Sequence, residues 1–133
     1  MKEKVYPIII KKGEEEGKTY YFVSVPDFEI DTFGKSLAAA IESARDAIEL
    51  TGITWQDMKK KLPEATELSK VEKEQDEIVT LVDVDFDAYR RKYEKRAVRK
   101  NCSIPSWLNE KAEAEGVNFS EILQRALIAE LGL

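Results

Sequence analysis

Apolar and polar positions mark out the elements of this chain one after another. Residues 5–12 (VYPIIIKK) and 19–25 (TYYFVSV) are rich in Val, Ile, Tyr and Phe, the composition of strands. The GEEEGK stretch between them, with two glycines and three glutamates, predicts a polar hairpin loop. Pro7 cannot donate a ladder hydrogen bond, so the first strand should be an edge there or carry a bulge. Pro26-Asp27 ends the second strand, and residues 28–33 predict a short third one before Gly34. Ser36 then caps a helix whose Leu37, Ala40, Ile41, Ala44, Ala47 and Ile48 recur at spacings of three and four, one apolar stripe. Gly52 is read as its stop signal. Thr54 with Asp57 resembles a capping pair for a shorter helix that runs to Leu62 before Pro63. Residues 64–77 turn polar and charged, a connection, and residues 78–84 (IVTLVDV) are β-branched and apolar, a fourth strand. Residues 86–96 read as a helical or extended linker.

The last stretch alternates differently. In residues 98–104 (VRKNCSI) one parity holds Val98, Lys100, Cys102 and Ile104, and the other holds Arg99, Asn101 and Ser103, which is the pattern of a half-buried strand. Lys100 is the one blemish on the apolar parity, and its long stem can snorkel outward. A helix near residues 105–115 offers Trp107, Leu108 and Ala112, with Gly116 as its cap. Asn118 with Glu121 opens a second helix carrying Phe119, Ile122, Leu123, Ala126, Leu127 and Leu131 on one stripe. A single strand leaves every ladder group unpaired, and forty residues cannot bury an adequate core. The economical solution is a homodimer with the two strands antiparallel. Its core would be Val98, Cys102, Ile104, Trp107, Leu108, Ile122, Leu123 and Leu127. A two-stranded ribbon of this kind fits the DNA major groove, with the polar parity toward base edges. The fold class expected is therefore α+β: a β-β-β-α-β unit, its sheet covered on one face by the helix, then strand-helix-helix.

Composition narrows the chemistry. Of 133 residues, 43% are hydrophobic and 35% charged, so a core is affordable in one domain or two small ones, and a disordered chain is excluded. No apolar run approaches the roughly 20 residues that span a bilayer, and the N-terminal stretch lacks a signal-peptide cleavage pattern. One cysteine forbids an internal disulfide, which points to a reducing, cytoplasmic setting. Without histidine, Ser-His-Asp and Cys-His enzymes are ruled out, and the lone thiol cannot build a metal site. Asp27, Asp31, Asp83, Asp85 and Asp87 could be read as carboxylates for paired Mg²⁺ ions. They flank strands and turns, where Asp is common anyway, so neither metal nor cofactor is expected.

The formal net charge of -5 conceals an asymmetry. Through Ala88 the chain has 12 Lys and Arg against 20 Asp and Glu, a net of -8; from Tyr89 onward it has 9 against 6, a net of +3. Arg90, Arg91, Lys92, Lys95, Arg96, Arg99 and Lys100 form a cluster opposed only by Glu94. Partners of opposite charge are implied for the two parts, nucleic acid being the usual one for a basic cluster.

Two segments carry a family resemblance. VRKNCSIPSWLNEKAEAEGVNFSEILQRAL resembles the ribbon-helix-helix DNA-binding motif of bacterial and archaeal repressors, and YFVSVPDFEIDTFGKSLAAAIESARDAIEL resembles the N-terminal domain of HicB antitoxins. Phe28-Glu29-Ile30 stands where many members carry a Pro-Gly-Cys-type turn. The resemblance implies a partial RNase H-like fold without nuclease activity over residues 1–88, which binds toxin. A basic linker over 89–97 and a ribbon-helix-helix domain over 98–133 would follow. It implies a HicA-type toxin that cleaves mRNA and operator DNA as partners. The assembly would be a homodimer, with further assembly into tetramers left open. Arg99, Asn101 and Ser103 match the outward strand positions that contact bases. Arg96, Lys100, Asn118 and Ser120 are the candidates for phosphate, the last two at a helix N-terminus. Competing readings are a stand-alone ribbon-helix-helix regulator with a ligand-sensing N-terminal domain, and a metal-dependent nuclease.

Overall fold

The computed structural model describes residues 4–94 and 96–133; Lys95 of the basic cluster lies outside them. β1 (Lys4–Glu15) and β2 (Lys18–Val25) run longer than the loop expected between them allows, because the strands continue through the glutamates. Glu15 pairs with Lys18, leaving a two-residue turn in which Glu16 (φ 51°) and Gly17 (φ 77°) both take positive φ. That is the turn whose twist matches flanking antiparallel strands. With β3 (Ile30–Gly34) and β4 (Glu77–Val84) they form an antiparallel sheet of order β3-β2-β1-β4. β1 is central, yet at Pro7 it pairs only with Leu81 of β4, since its register with β2 begins at Ile9. The missing amide donor is therefore not demanded there, as the edge reading anticipated. Phe28, expected in the third strand, instead sits in the turn before it and drops into the core against Tyr6 and Trp55, at ring-centroid distances of 4.9 and 5.2 Å.

One helix, α1 (Leu37–Asp57), replaces the two expected over this stretch. Ser36 caps it, its hydroxyl accepting the Ala39 amide at 3.0 Å. Ala40, Ala44, Ile48 and Gly52 recur every four residues as the fully buried row. Gly52 does not stop the helix. It stands where the ring of Phe86 crosses, and its missing side chain is the space that ring occupies. The helix ends only at Met58, with Lys59 left-handed at φ 61°. A short 3-10 turn, Leu68–Lys70, interrupts the polar connection. α2 (Phe86–Tyr93) follows β4 directly, Asp85 accepting the Ala88 amide at 3.0 Å as its cap. Both helices lie on one face of the sheet, over a core of Tyr6, Ile8, Ile10, Val23, Val25, Phe28, Val82, Val84 and Phe86 with the α1 row.

The chain divides into two compact units at Tyr93/Glu94. Tyr89 to Tyr93, read from sequence as linker, thus belong to the first unit through α2. Arg90 shows why: its guanidinium donates to Asp57 Oδ1 at 2.9 Å, to the Ile53 carbonyl at 3.2 Å and to Gln56 Oε1 at 3.2 Å. This cation ties α2 to the end of α1. The boundary also redistributes charge. Through Tyr93 there are 15 Lys and Arg against 20 Asp and Glu, and from Glu94 onward 6 against 6. The second unit is therefore neutral overall, and its basic character is confined to the stretch before its helices.

That unit contains α3 (Ser106–Ala114) and α4 (Phe119–Leu131). Gly116, at φ 68°, terminates α3 with its amide on the Glu113 carbonyl and the next amide, Val117, on Ala112. Residues 98–104 form no strand in the single chain. A strand is held by a partner's backbone, and the unit itself supplies none.

Candidate functional site

Every residue singled out for DNA contact is exposed. Arg99, Asn101, Ser103, Lys100 and Ser120 face solvent, and Arg96 makes one surface ion pair, Nη2 to Glu94 Oε1 at 3.3 Å. Asn118 has a structural duty: its side-chain oxygen accepts the Glu121 amide at 3.1 Å and starts α4. Phosphate anchoring would have to use the remaining amides of that helix end.

The residues expected to form a dimer core are exposed as well. Val98 is 78% exposed and Trp107 62%; Ile104, Leu108, Ile122, Leu123 and Leu127 each exceed one-third, and Cys102 is exposed. Phe119, Ile128 and Leu131 join them, the last being 66% exposed. Among the described residues of 96–133 not one is buried. The two helices thus display an apolar stripe with nothing of their own to bury it against. The expectation that Cys102 and Trp107 are covered is not met within one chain.

In the first unit the aspartates divide by duty. Asp27 accepts the Thr66 amide at 3.0 Å and its hydroxyl at 2.6 Å, pinning the connection after α1. Asp83 pairs with Arg45, whose Nη2 donates to its carboxylate at 2.8 Å and whose Nε donates to its carbonyl at 2.9 Å; Glu42 takes the Nη1 donor at 2.8 Å. Hydrogen bonding to this guanidinium pulls the Asp83 carboxyl below its usual range. Asp85 caps α2, and Asp31 stands exposed on β3. Asp27, Asp83 and Asp85 thus serve as hydrogen-bond acceptors that hold the fold. Sequence reading missed the Arg45 and Arg90 anchors, because Asp83 lies 38 residues from Arg45 and Asp57 lies 33 from Arg90.

Glu49 is the group whose charge the fold opposes. Its carboxylate accepts the Asp85 amide at 3.0 Å, but burial outweighs that bond and Arg45, and its pKa is raised. An acid whose folded pKa lies above its unfolded value stabilises the fold below that value and loses the contribution as pH rises through the folded pKa. Glu49→Gln keeps an acceptor for the Asp85 amide and removes the charge. Its urea midpoint should exceed the parent's at neutral pH, with the gap closing toward about pH 4, near the ordinary glutamate range. A gap that widened on acidification would contradict the burial account.

Comparison with known proteins covers both units together. A family model described as HicB-like antitoxin of bacterial toxin-antitoxin system matches residues 6–127. A solved structure described as a toxin-antitoxin complex from Streptococcus pneumoniae aligns with a TM-score of 0.62, over 97% of this chain and 99% of that one, at 21% identity. The antitoxin HicB of Burkholderia pseudomallei aligns with a TM-score of 0.51, over 96% of each chain, at 23% identity. At these identities the likeness is one of fold. No curated protein matches by sequence.

Proposed function

Because the chain belongs to the HicB-like antitoxins of bacterial toxin-antitoxin systems, we propose that its first unit holds a HicA-type, mRNA-cleaving toxin inactive. Its second unit, residues 94–133, binds operator DNA as a homodimer and represses its own operon. The protein acts by binding and not by catalysis. No described helix is long and apolar enough to cross a membrane.

The observation that carries the division of labour is the contrast between the units. The first has a closed core, and the second has apolar stripes and no buried residue among those described. Pairing two copies of the second unit provides both the missing ladder partner for residues 98–104 and the missing cover for Trp107, Ile122 and Leu127. The paired strands then present Arg99, Asn101 and Ser103 together, flanked by Arg96 and Lys100, the geometry of a ribbon that enters the major groove.

Light scattering of the full chain should give a dimer or a larger even assembly at micromolar concentration. The same measurement on residues 1–93 should give a smaller species, and that fragment should still capture the small basic protein encoded beside it in a co-expression pull-down. A full-length monomer would sink the ribbon reading. A folded fragment that captures no such partner would sink the toxin-binding reading.

A further inference from the structure

The helices of the first unit cover one face of its sheet, and the other face, though closed over Pro7, also carries exposed apolar residues. β1 shows this most clearly: Tyr6, Ile8 and Ile10 enter the core, while the opposite parity places Val5 and Ile9 on the outer side. Register extends that outer side across the sheet. Ile9 stands opposite Val79 on β4, Leu81 lies beside Pro7, and Phe22 on β2 is opposite Phe33 on β3. Val5, Phe33 and Leu81 are 48%, 55% and 45% exposed. Tyr20 packs edge-on against Phe33 at 5.9 Å, which holds the aromatic end of the strip in place. Gly13 is bare where Phe22 lies across β1; a Cβ there would come 2.8 Å from the ring. A depression of about 280 Å³ opens between Ile9, Phe22 and Asp31.

An antiparallel sheet with one solvated face ordinarily alternates apolar inside and polar outside, and strands apolar on both parities belong to sheets buried on both faces. This sheet has the second kind of strand and only one helical layer. A contiguous apolar strip rimmed by charge marks an interaction surface. The rim selects the partner. Asp31 and Glu77 edge the strip, Asp83 at its end is taken up by Arg45, and the cations of the same parity have acidic neighbours: Lys11 is held by Glu74 at 3.1 Å and Asp76 at 3.9 Å, and Lys18 stands opposite Glu15. A second copy of this face would set those carboxylates against their own kind. A basic protein would not.

The geometry points to the open sheet face, centred on Ile9, Phe22, Phe33 and Leu81, as the seat of the basic toxin. This rests on the antitoxin reading and adds which surface does the holding. Electrostatic complementarity at the rim governs approach and register, and the apolar strip is the part that excludes water on docking.

The test uses full-length protein and the small basic protein encoded beside it as probe. Phe33→Lys and Leu81→Lys each place a cation in the strip; Leu50→Lys makes the same change at an equally exposed leucine on α1. Circular dichroism and operator binding check that each variant remains folded. The expected result is a loss of probe affinity of at least about tenfold in both sheet variants, with Leu50→Lys matching the parent. Parent-like binding by both folded sheet variants would overturn the assignment while leaving the antitoxin reading standing. A sheet variant that loses a self-assembly contact but keeps the probe would overturn it in favour of a second copy. A parent protein that fails to bind the probe would bring down the antitoxin reading and this inference with it.

Discussion

Gly52→Ala should destabilise the first unit, although alanine is the better helix former by about 1 kcal/mol. The new methyl would stand 2.6 Å from Phe86 Cδ1 and closer still to Cε1. Phe86 is fully buried, held at the start of α2 and packed under α1, so its ring has nowhere to swing. Overpacking of this kind costs about 1–3 kcal/mol, enough to cancel the propensity gain and reverse it. Phe86→Ala alone should cost about 3–5 kcal/mol through the cavity it leaves. In that background the sign at Gly52 should invert. The alanine methyl then partly fills the vacated space and keeps its helical preference, so the pair is coupled by contact. Urea unfolding followed through Trp55 in a Trp107→Phe background isolates the first unit, since Trp55 packs against Phe28 in its core. Equal destabilisation by Gly52→Ala with and without the Phe86 ring would show that the glycine is there for some reason other than that ring.

The same glycine shows where sequence reading succeeds and where it stops. Ser36, the alanine row and the four strands were legible because their signals are local: a cap three residues from its amide, a spacing of four, runs of β-branched residues. Gly52 was misread as a terminator because the ring that needs its space comes from residue 86. Arg90 was counted with the DNA-facing cations for the same reason: nothing near it in sequence announces Asp57. The hairpin loop shrank because strand pairing overrode the low strand propensity of Glu14 and Glu15. At the candidate site, the alternation of residues 98–104 and the stripe on α4 were visible, but the core of the proposed dimer would be written across two chains. One chain shows only its exposed half. The charge asymmetry was partly an effect of drawing the boundary at residue 88, since Arg90, Arg91 and Lys92 belong with the acidic unit.

Arg99→Ala and Asn101→Ala should each abolish operator recognition while leaving toxin neutralisation intact. Both side chains are exposed and share the polar parity of residues 98–104, so truncating either opens no cavity. A good bidentate contact to a base edge is worth about 1–3 kcal/mol of discrimination. A symmetric dimer loses it twice, so affinity should fall roughly a hundredfold or more. The neutral net charge of residues 94–133 sharpens this test. With acidic residues balancing the basic ones across the unit, non-specific DNA binding has little to draw on beyond the short stretch holding Arg96, Arg99 and Lys100. An Arg99 that touches only phosphate has a different signature: its loss weakens operator and scrambled DNA alike and flattens the salt slope by about one charge per subunit. Asn101 carries no charge, so its loss should act on operator alone. Lys111→Ala, at an exposed position on α3, is the control and should change little. Gel shifts with operator and scrambled DNA at two salt concentrations, beside a toxin-rescue growth assay, separate these outcomes. Full operator affinity in both variants would mean that bases are read elsewhere. The two-stranded ribbon would then lose its role even if the chain proved dimeric, because dimerisation requires only the apolar stripes, whereas recognition requires the polar parity between them.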